Sequence, residues 1–318
     1  MYGRFGVQLF FLVSAFTLML SHESRTNETQ HNKKFYIRRI FRIVPLYYIA
    51  LIYYSIDSAF FSECFSHQTN IKTVFFADVL RNAAFLNNFY PNMKYYVPGG
   101  WSIVVEMTFY LLLPLIWKYV NNINKALLGL SISLLISFLF THVFLDFHHL
   151  QVSMYTSFFN QFPTFMLGIL IYFIVKKPIP PLNKWIILLL GFSFVFYAYF
   201  IQSYIFRCFI ASLFLFCFVL IVQKKQYKLF VNPTLSYLGK ISFSMYIIHF
   251  GVLYWMKRAD IFHFLEFSDT KTFLLSYLLC FIVLLLLTIP LSHFTYLYYE
   301  KYFMKKGKLF IHFITKIK

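Results

Sequence analysis

Charged side chains, and acidic ones above all, are scarce in this chain of 318 residues. Only 13% of the residues are charged and 60% are hydrophobic, whereas a soluble domain usually carries about 25% charged residues. This shortage excludes an ordinary soluble domain and predicts a polytopic membrane protein. The net charge of +18 raises the alternative of a nucleic-acid partner. The basic residues fall in short clusters between apolar runs and form no basic face, so we expect no nucleic acid.

Cysteine and the short motifs of soluble enzymes are also scarce. Of four cysteines, Cys208, Cys217 and Cys280 lie in apolar runs and Cys64 stands alone in a loop. Neither a disulfide framework nor a metal site is therefore predicted. The sequence has no phosphate-binding glycine loop and no paired-histidine motif. It also lacks the symmetric Gly and Pro breaks that many transporters show.

Long apolar runs are abundant, and they predict an all-α fold: a polytopic integral membrane helical bundle of about nine transmembrane helices. Most of the 29 Lys and Arg residues fall in one alternating set of loops. The positive-inside rule places that set, and the C-terminus, in the cytoplasm. We therefore expect a multi-pass protein of the cell membrane. The predicted spans are 5–20, 43–61, 101–118, 126–145, 155–175, 184–201, 204–222, 241–256 and 272–296.

Residues at the C-terminal end are richer in lysine than the apolar runs before them. Residues 301–318 mix lysines with Phe310, Ile311, Phe313 and Ile314. This pattern predicts a basic amphipathic helix along the inner leaflet, following a membrane domain over 1–300. A simple positive-inside anchor is the alternative.

Glu106 is the only charge in the apolar run 99–117. A carboxylate inside a membrane helix costs about 2.5–3.5 kcal/mol on insertion scales, so it normally faces a polar cavity. Helical spacing puts Ser102 and Tyr110 on its stripe, where both could share hydrogen bonds with it. Trp101 lies about 8 Å nearer the outer end of the helix. We interpret Glu106 as a catalytic or structural acid in a cavity, with a buried structural anchor paired with a base on another helix as the alternative.

Arginines cluster in the segment 33–48. Arg38 and Arg42 share a helix face, and Arg39 lies beside them. Guanidinium groups bind phosphates through paired hydrogen bonds, so these three could hold a phosphorylated cytosolic ligand. A topology signal that also touches anionic lipid head groups is the alternative, and residue chemistry alone favours it.

His249 lies inside the apolar span of the segment 237–255. Ser242, Met245 and Tyr246 precede it by three to seven residues. A lone histidine on an apolar face is more often a core residue, but an ionisable group within a membrane is a functional candidate. An imidazole and a carboxylate on separate helices could form an acid–base pair.

Together these segments resemble, in order and across nearly the whole chain, the membrane-bound acyltransferase family 3. Any one motif is weak, whereas four in order are specific. GRFGVQLFFLVSAFTL (3–18) resembles the family's second helix, FYIRRIFRIVPLYY its arginine-rich loop, WSIVVEMTFYLLLPL its glutamate helix, LSYLGKISFSMYIIHF its late histidine helix and, loosely, TYLYYEKYF (295–303) its closing segment.

The resemblance implies an acyltransferase that moves an acyl group, commonly acetyl, from cytoplasmic acyl-CoA to a hydroxyl of a cell-envelope polysaccharide or lipid-linked precursor. Acyl-CoA would be a co-substrate, with no tightly bound cofactor and no metal. It would be bound by Arg38, Arg39 and Arg42, while Glu106 and His249 would be catalytic. The expected cavity residues are Trp101, Ser102, Tyr110 and Tyr246. The expected partners are acyl-CoA, an envelope glycan or lipid-linked sugar, and membrane lipids.

Two departures from the family pattern matter. Ala15 replaces a usual glycine. Family members also begin with a further helix carrying a histidine taken to be the catalytic base, whereas Met1 here just precedes the second helix. His22 and His31 cannot replace that histidine by position. We expect a truncated chain or a misplaced start codon, with a genuine nine-span variant as the alternative, and little or no activity as written.

A flippase or transporter of a glycan precursor and a non-catalytic paralogue are the rival functions.

Overall fold

The computed structural model describes residues 5–60, 76–89, 95–141, 154–176, 192, 203–225, 227–261 and 270–316. Across these ranges every regular element is a helix and none is a strand. The predicted all-α fold class is therefore confirmed. The α-helices are α1 Phe5–Glu23, α2 His31–Phe60, α3 Phe76–Ala83, α4 Gly100–Tyr119, α5 Ile123–Leu139, α6 Phe158–Lys176, α7 Ser203–Lys225, α8 Pro233–Arg258, α9 Thr270–Thr295 and α10 Lys301–Lys316.

Several of these helices can cross a membrane by length and composition. Within the described residues, 5 candidate spans are long and apolar enough, and α5 and part of α7 add shorter apolar helices. A multi-helix membrane protein is the architecture that follows, while the exact number of spans stays a prediction. The predicted span 184–201 lies outside the described residues apart from Phe192. The candidate spans are Phe5–Glu23, His31–Asp57, Gly100–Tyr119, Phe158–Lys176 and Leu275–Lys316.

The chain divides into two compact units. The first comprises Met1–His31, Phe85–Lys94 and Trp101–Val231, and its centre is α6. This helix contacts α1, α5 and α7, and 78% of its most apolar window is buried. Gly168 lets α1 and α6 approach closely, because a Cβ there would overlap the backbone oxygen of Leu12. Small residues at such crossings are typical of membrane helices, which gain stability from close packing.

The second unit comprises Asn32–Ala84, Tyr95–Gly100 and Asn232–Lys318. In it α8 packs against α9. Asn232 begins α8, because its side-chain oxygen accepts a hydrogen bond from the Leu235 amide at 2.8 Å and Pro233 occupies the first turn.

A π-helical turn, Tyr296–Glu300, joins α9 to α10 in this second unit. The helix α10 begins at Lys301, the predicted start of the basic tail. Gly307 is buried against Phe41 of α2, while the lysines of α10 are exposed. The helix is thus present; its place on the inner leaflet and the division at residue 300 stay predictions.

Candidate functional site

Glu106 lies six residues into α4, and its side chain is nearly removed from solvent, at 4% exposure. Ser14 of α1 donates a hydrogen bond from Oγ to Glu106 Oε1 at 2.7 Å. Tyr110, one turn along α4, donates its hydroxyl to the same oxygen. The stripe read from the sequence therefore does bring Tyr110 to the carboxylate. Ser14 is a partner that the sequence analysis missed, because it lies 92 residues away along the chain.

Aromatic rings surround this cluster in the first unit. Trp101 packs edge-on against Phe11 of α1 at 6.1 Å between ring centroids, and against Tyr155 at 4.9 Å. Phe109 stacks on Phe165 of α6 at 4.1 Å. Ser102, which shares the stripe of Glu106, is 2% exposed. Low polarity around a carboxylate strengthens its hydrogen bonds.

A second buried polar cluster in this unit also escaped the sequence analysis. Gln8 of α1 donates from Nε2 to Gln161 Oε1 at 2.9 Å, and its own Oε1 accepts hydrogen bonds from Thr164 and Ser212. All four side chains are at most 2% exposed. Gln8 and Gln161 are polar residues within apolar runs, so the reasoning applied to Glu106 would have found them. The cluster joins α1, α6 and α7.

The three predicted donor arginines lie on the first turns of α2, in the second unit, and all are partly exposed. The guanidinium of Arg39 lies 5.6 Å from the ring centroid of Phe35. Arg42 places Nε 3.9 Å from Glu300 Oε1, and its side chain is 37% exposed. The helix thus presents three positive charges within about 6 Å along its axis, a density suited to phosphate groups.

Glu300 is the second buried carboxylate, at 2% exposure, on the π-helical turn after α9. Ser244 of α8 donates from Oγ to Glu300 Oε2 at 2.8 Å. The sequence analysis quoted this segment for its resemblance but gave Glu300 no role. Its position was a usable signal in the sequence, since this glutamate lies in TYLYYEKYF, directly after an apolar span.

His249 and Tyr246 lie together on α8, with ring centroids 5.5 Å apart. Both line a cavity of about 490 Å³ in the second unit, along with Ser242, Met245 and Thr288. His249 Nδ1 lies 3.1 Å from the Met245 carbonyl. Because a carbonyl only accepts, this contact assigns the proton to Nδ1 and leaves the Nε2 lone pair as an acceptor.

A backbone carbonyl of the loop before α4 binds Tyr246 of this ring pair. Tyr246 donates its hydroxyl to the Gly99 carbonyl at 2.9 Å. Gly99 has φ +72°, and a Cβ there would overlap Phe250 and the Tyr246 hydroxyl, so only glycine fits. The loop before α4 therefore fixes the orientation of Tyr246.

His22 and His31, whose positions excluded them as the family base, form a cluster of their own in the first unit. His22 Nδ1 lies 2.9 Å from His31 Nε2, and the His22 ring stacks on Trp117 at 4.3 Å. Among the residues that the structure covers, no group of three His, Cys, Asp or Glu side chains could hold a metal ion.

The predicted site residues thus fall into two sets. Glu106, Ser102, Tyr110 and Trp101 belong to the first compact unit, whereas the arginines, Tyr246 and His249 belong to the second. A multi-helix membrane protein with a hydroxyl-bound buried acid and a separate basic cluster is the class that these features define.

Comparison with known proteins gives the family. The profile of the acyltransferase 3 family, described as an acyltransferase domain, matches residues 1–293, and the chain belongs to this family. The predicted family and enzyme class are confirmed. The chain is also similar to the peptidoglycan O-acetyltransferase OatA of Listeria monocytogenes, with 29% identity over 149 residues. That match covers 42% of this chain and 23% of OatA, so the chain spans less than a quarter of that protein. No solved structure matches the chain.

Proposed function

We propose that this protein transfers an acyl group, most simply acetyl, from cytoplasmic acyl-CoA to a hydroxyl of a cell-envelope polysaccharide or its lipid-linked precursor. The observation that carries the proposal is the buried Glu106 carboxylate of a family acyltransferase, which already accepts two hydroxyl hydrogen bonds on one oxygen. The similarity to a peptidoglycan O-acetyltransferase supports acetyl as the acyl group and a wall glycan as the acceptor class.

Acyl transfer to a hydroxyl requires a base that takes the hydroxyl proton as the ester bond forms. Glu106 has the geometry of such a base, because its Oε1 holds hydroxyl protons at hydrogen-bond distance. His249 is the second candidate, since its Nε2 lone pair lies on a residue that lines the 490 Å³ cavity. Trp101, Ser102, Tyr110 and Tyr246 would shape the surroundings of the reacting groups.

In this proposal the protein is a multi-pass protein of the cell membrane with a cytoplasmic C-terminus. The acyl-CoA donor then needs a binding site for its phosphate groups at the cytoplasmic side. Arg38, Arg39 and Arg42 supply three guanidinium groups on one short stretch of α2. A hydrogen bond to a charged group contributes about 1.5–3 kcal/mol, so each arginine would change donor affinity about 10- to 100-fold. Acyl-CoA is thus a co-substrate that enters and leaves, and the proposal includes no tightly bound cofactor.

The test uses membranes that contain the full chain, radiolabelled acetyl-CoA and isolated envelope glycan. We expect label on the glycan, lowered about 10²- to 10⁴-fold by Glu106→Gln through kcat. Arg39→Ala should raise KM for acetyl-CoA about 10- to 100-fold. Lys33→Ala is the matched control, because it removes an exposed positive charge from the same helix.

Three results would contradict the proposal or its base. Glycan labelling that is unchanged by Glu106→Gln would show that Glu106 is not the base. Movement of a glycan precursor across the membrane that is independent of acetyl-CoA would favour a flippase. Donor binding that depends on Arg39 without any label on glycan would leave a non-catalytic paralogue.

A further inference from the structure

Ser14 combines a hydrogen bond to a buried carboxylate with a partly exposed side chain. Serine and threonine inside a helix usually donate back to a carbonyl one turn earlier. Ser131 does so to Leu127 O at 3.1 Å, and Thr108 to Val104 O at 2.9 Å. Ser14 instead donates at 2.7 Å to a carboxylate on another helix, an arrangement that Ser244 and Glu300 repeat. The Ser14 side chain is partly exposed, however, whereas Ser244 and Ser131 are fully buried.

Ser14, Glu106 and Tyr110 are arranged as a nucleophile, its base and a group that orients the base. Ser14 Oγ is the nucleophile, and Glu106 is a base within hydrogen-bond distance. Tyr110 donates to the same carboxylate oxygen and so orients the base. A nucleophile, its base and a third group that orients the base are the recurring parts of covalent catalysis, whatever the residue types.

The place of Ser14 along its helix adds a second, independent observation. The helix α1 runs from Phe5 to Glu23, and Ser14 is its central residue, about 13–14 Å from either end at 1.5 Å per residue. A bilayer core is about 30 Å thick. A carrier at mid-depth can receive a group from one side and release it to the other.

We propose that Ser14 is a covalent acyl carrier, a role that rests on the proposed acyl transfer. In the first half-reaction Ser14 Oγ attacks the thioester carbonyl of acyl-CoA, and its proton passes to Glu106. The C–O bond forms, the C–S bond breaks, and the CoA thiolate leaves and takes that proton. In the second half-reaction the acceptor hydroxyl attacks the acyl-serine ester and gives its proton to Glu106. Ser14 Oγ leaves as the hydroxyl, reprotonated by Glu106, so the enzyme is restored.

The first half-reaction can be observed by itself in the purified full chain. The chain is incubated with [¹⁴C]acetyl-CoA without acceptor, denatured and digested, and the peptides are sequenced by mass spectrometry. We expect up to one acetyl group per chain, on Ser14, stable to acid and released by alkaline hydroxylamine. Ser14→Ala should abolish the label and Glu106→Gln should slow its appearance about 10²- to 10⁴-fold. Ser131→Ala is the matched control and should keep it.

Ser14→Cys protects the test against a misfolded alanine variant. The acetyl group on this cysteine would be a thioester, which neutral hydroxylamine cleaves, so the lability of the label should change with the residue at position 14. Label on another residue, or no protein-bound label in a chain that binds acetyl-CoA, would overturn the carrier. Glycan labelling that survives Ser14→Ala would also overturn it while leaving the proposed transferase function intact, because direct transfer from acyl-CoA would then account for that function.

Discussion

The contact between α1 and α6 allows a quantitative test of the fold around the candidate site. A Cβ at Gly168 would lie 2.8 Å from the Ala15 Cβ and would overlap the backbone of Leu12. Neither obstacle can rotate away, since one is a methyl group on the backbone and the other is the backbone itself. The closest atom is the Leu12 backbone oxygen at 2.2 Å, so Gly168→Ala must push the two helices apart by about 1.3–1.8 Å to reach an optimal separation of about 3.5–4.0 Å.

That displacement has two opposing energetic effects. Overpacking a tight contact costs about 1–3 kcal/mol, and the cost is near the upper end here because backbone must move. Replacing a helical glycine by alanine gains up to about 1 kcal/mol of helix propensity. The steric effect is larger, and we expect Gly168→Ala to destabilise the first unit by about 1–2 kcal/mol. Ser14 is the neighbour of Ala15 on α1, so the same shift should disturb the Ser14–Glu106 hydrogen bond and lower acetyl transfer as well.

The assay is unfolding of the purified chain in mixed micelles of increasing sodium dodecyl sulfate fraction, followed by tryptophan fluorescence. Gly6→Ala is the matched control on α1, because nothing lies within 4 Å of its added Cβ. It should be neutral or stabilising. If Gly168→Ala and Gly6→Ala unfold at the same detergent fraction, α1 and α6 do not pack as described and the reasoning is refuted.

Three further predictions follow from single contacts. Glu300→Gln removes the charge that faces Arg42, so KM for acetyl-CoA should change about tenfold with kcat nearly constant; a fall in kcat alone would contradict this. Gln8→Leu breaks three buried hydrogen bonds worth about 0.6 kcal/mol each in membranes, so the same micelle titration should show a loss of about 1–2 kcal/mol. Gly307→Val drives a side chain into Phe41, 2.8 Å from the added Cβ, and should speed trypsin cleavage of α10, unless that helix is not docked there.

Features that lie within one helix could be predicted from the sequence. Glu106 and Tyr110 are four residues apart, so helical geometry alone brings them together, and the hydrogen bond is present. Ser14 and Glu106 are joined by tertiary packing of α1 on α4, which no periodicity encodes. The span was predicted over 43–61, whereas α2 begins at His31 and includes the whole arginine-rich segment. Lysine and arginine are good helix formers, so the helix continues beyond its apolar part.

The two compact units repeat one local arrangement of a buried glutamate and a serine hydroxyl. Each holds one almost fully buried glutamate that accepts a serine hydroxyl from another helix, Ser14 on Glu106 at 2.7 Å and Ser244 on Glu300 at 2.8 Å. The third partner differs. Glu106 accepts a second hydroxyl hydrogen bond, from Tyr110, whereas Glu300 faces the guanidinium of Arg42 with Nε 3.9 Å from Oε1. The hydroxyl partners of Glu106 suit the proposed base in the first unit, and the guanidinium partner of Glu300 suits the positioning of a proposed donor-binding arginine in the second.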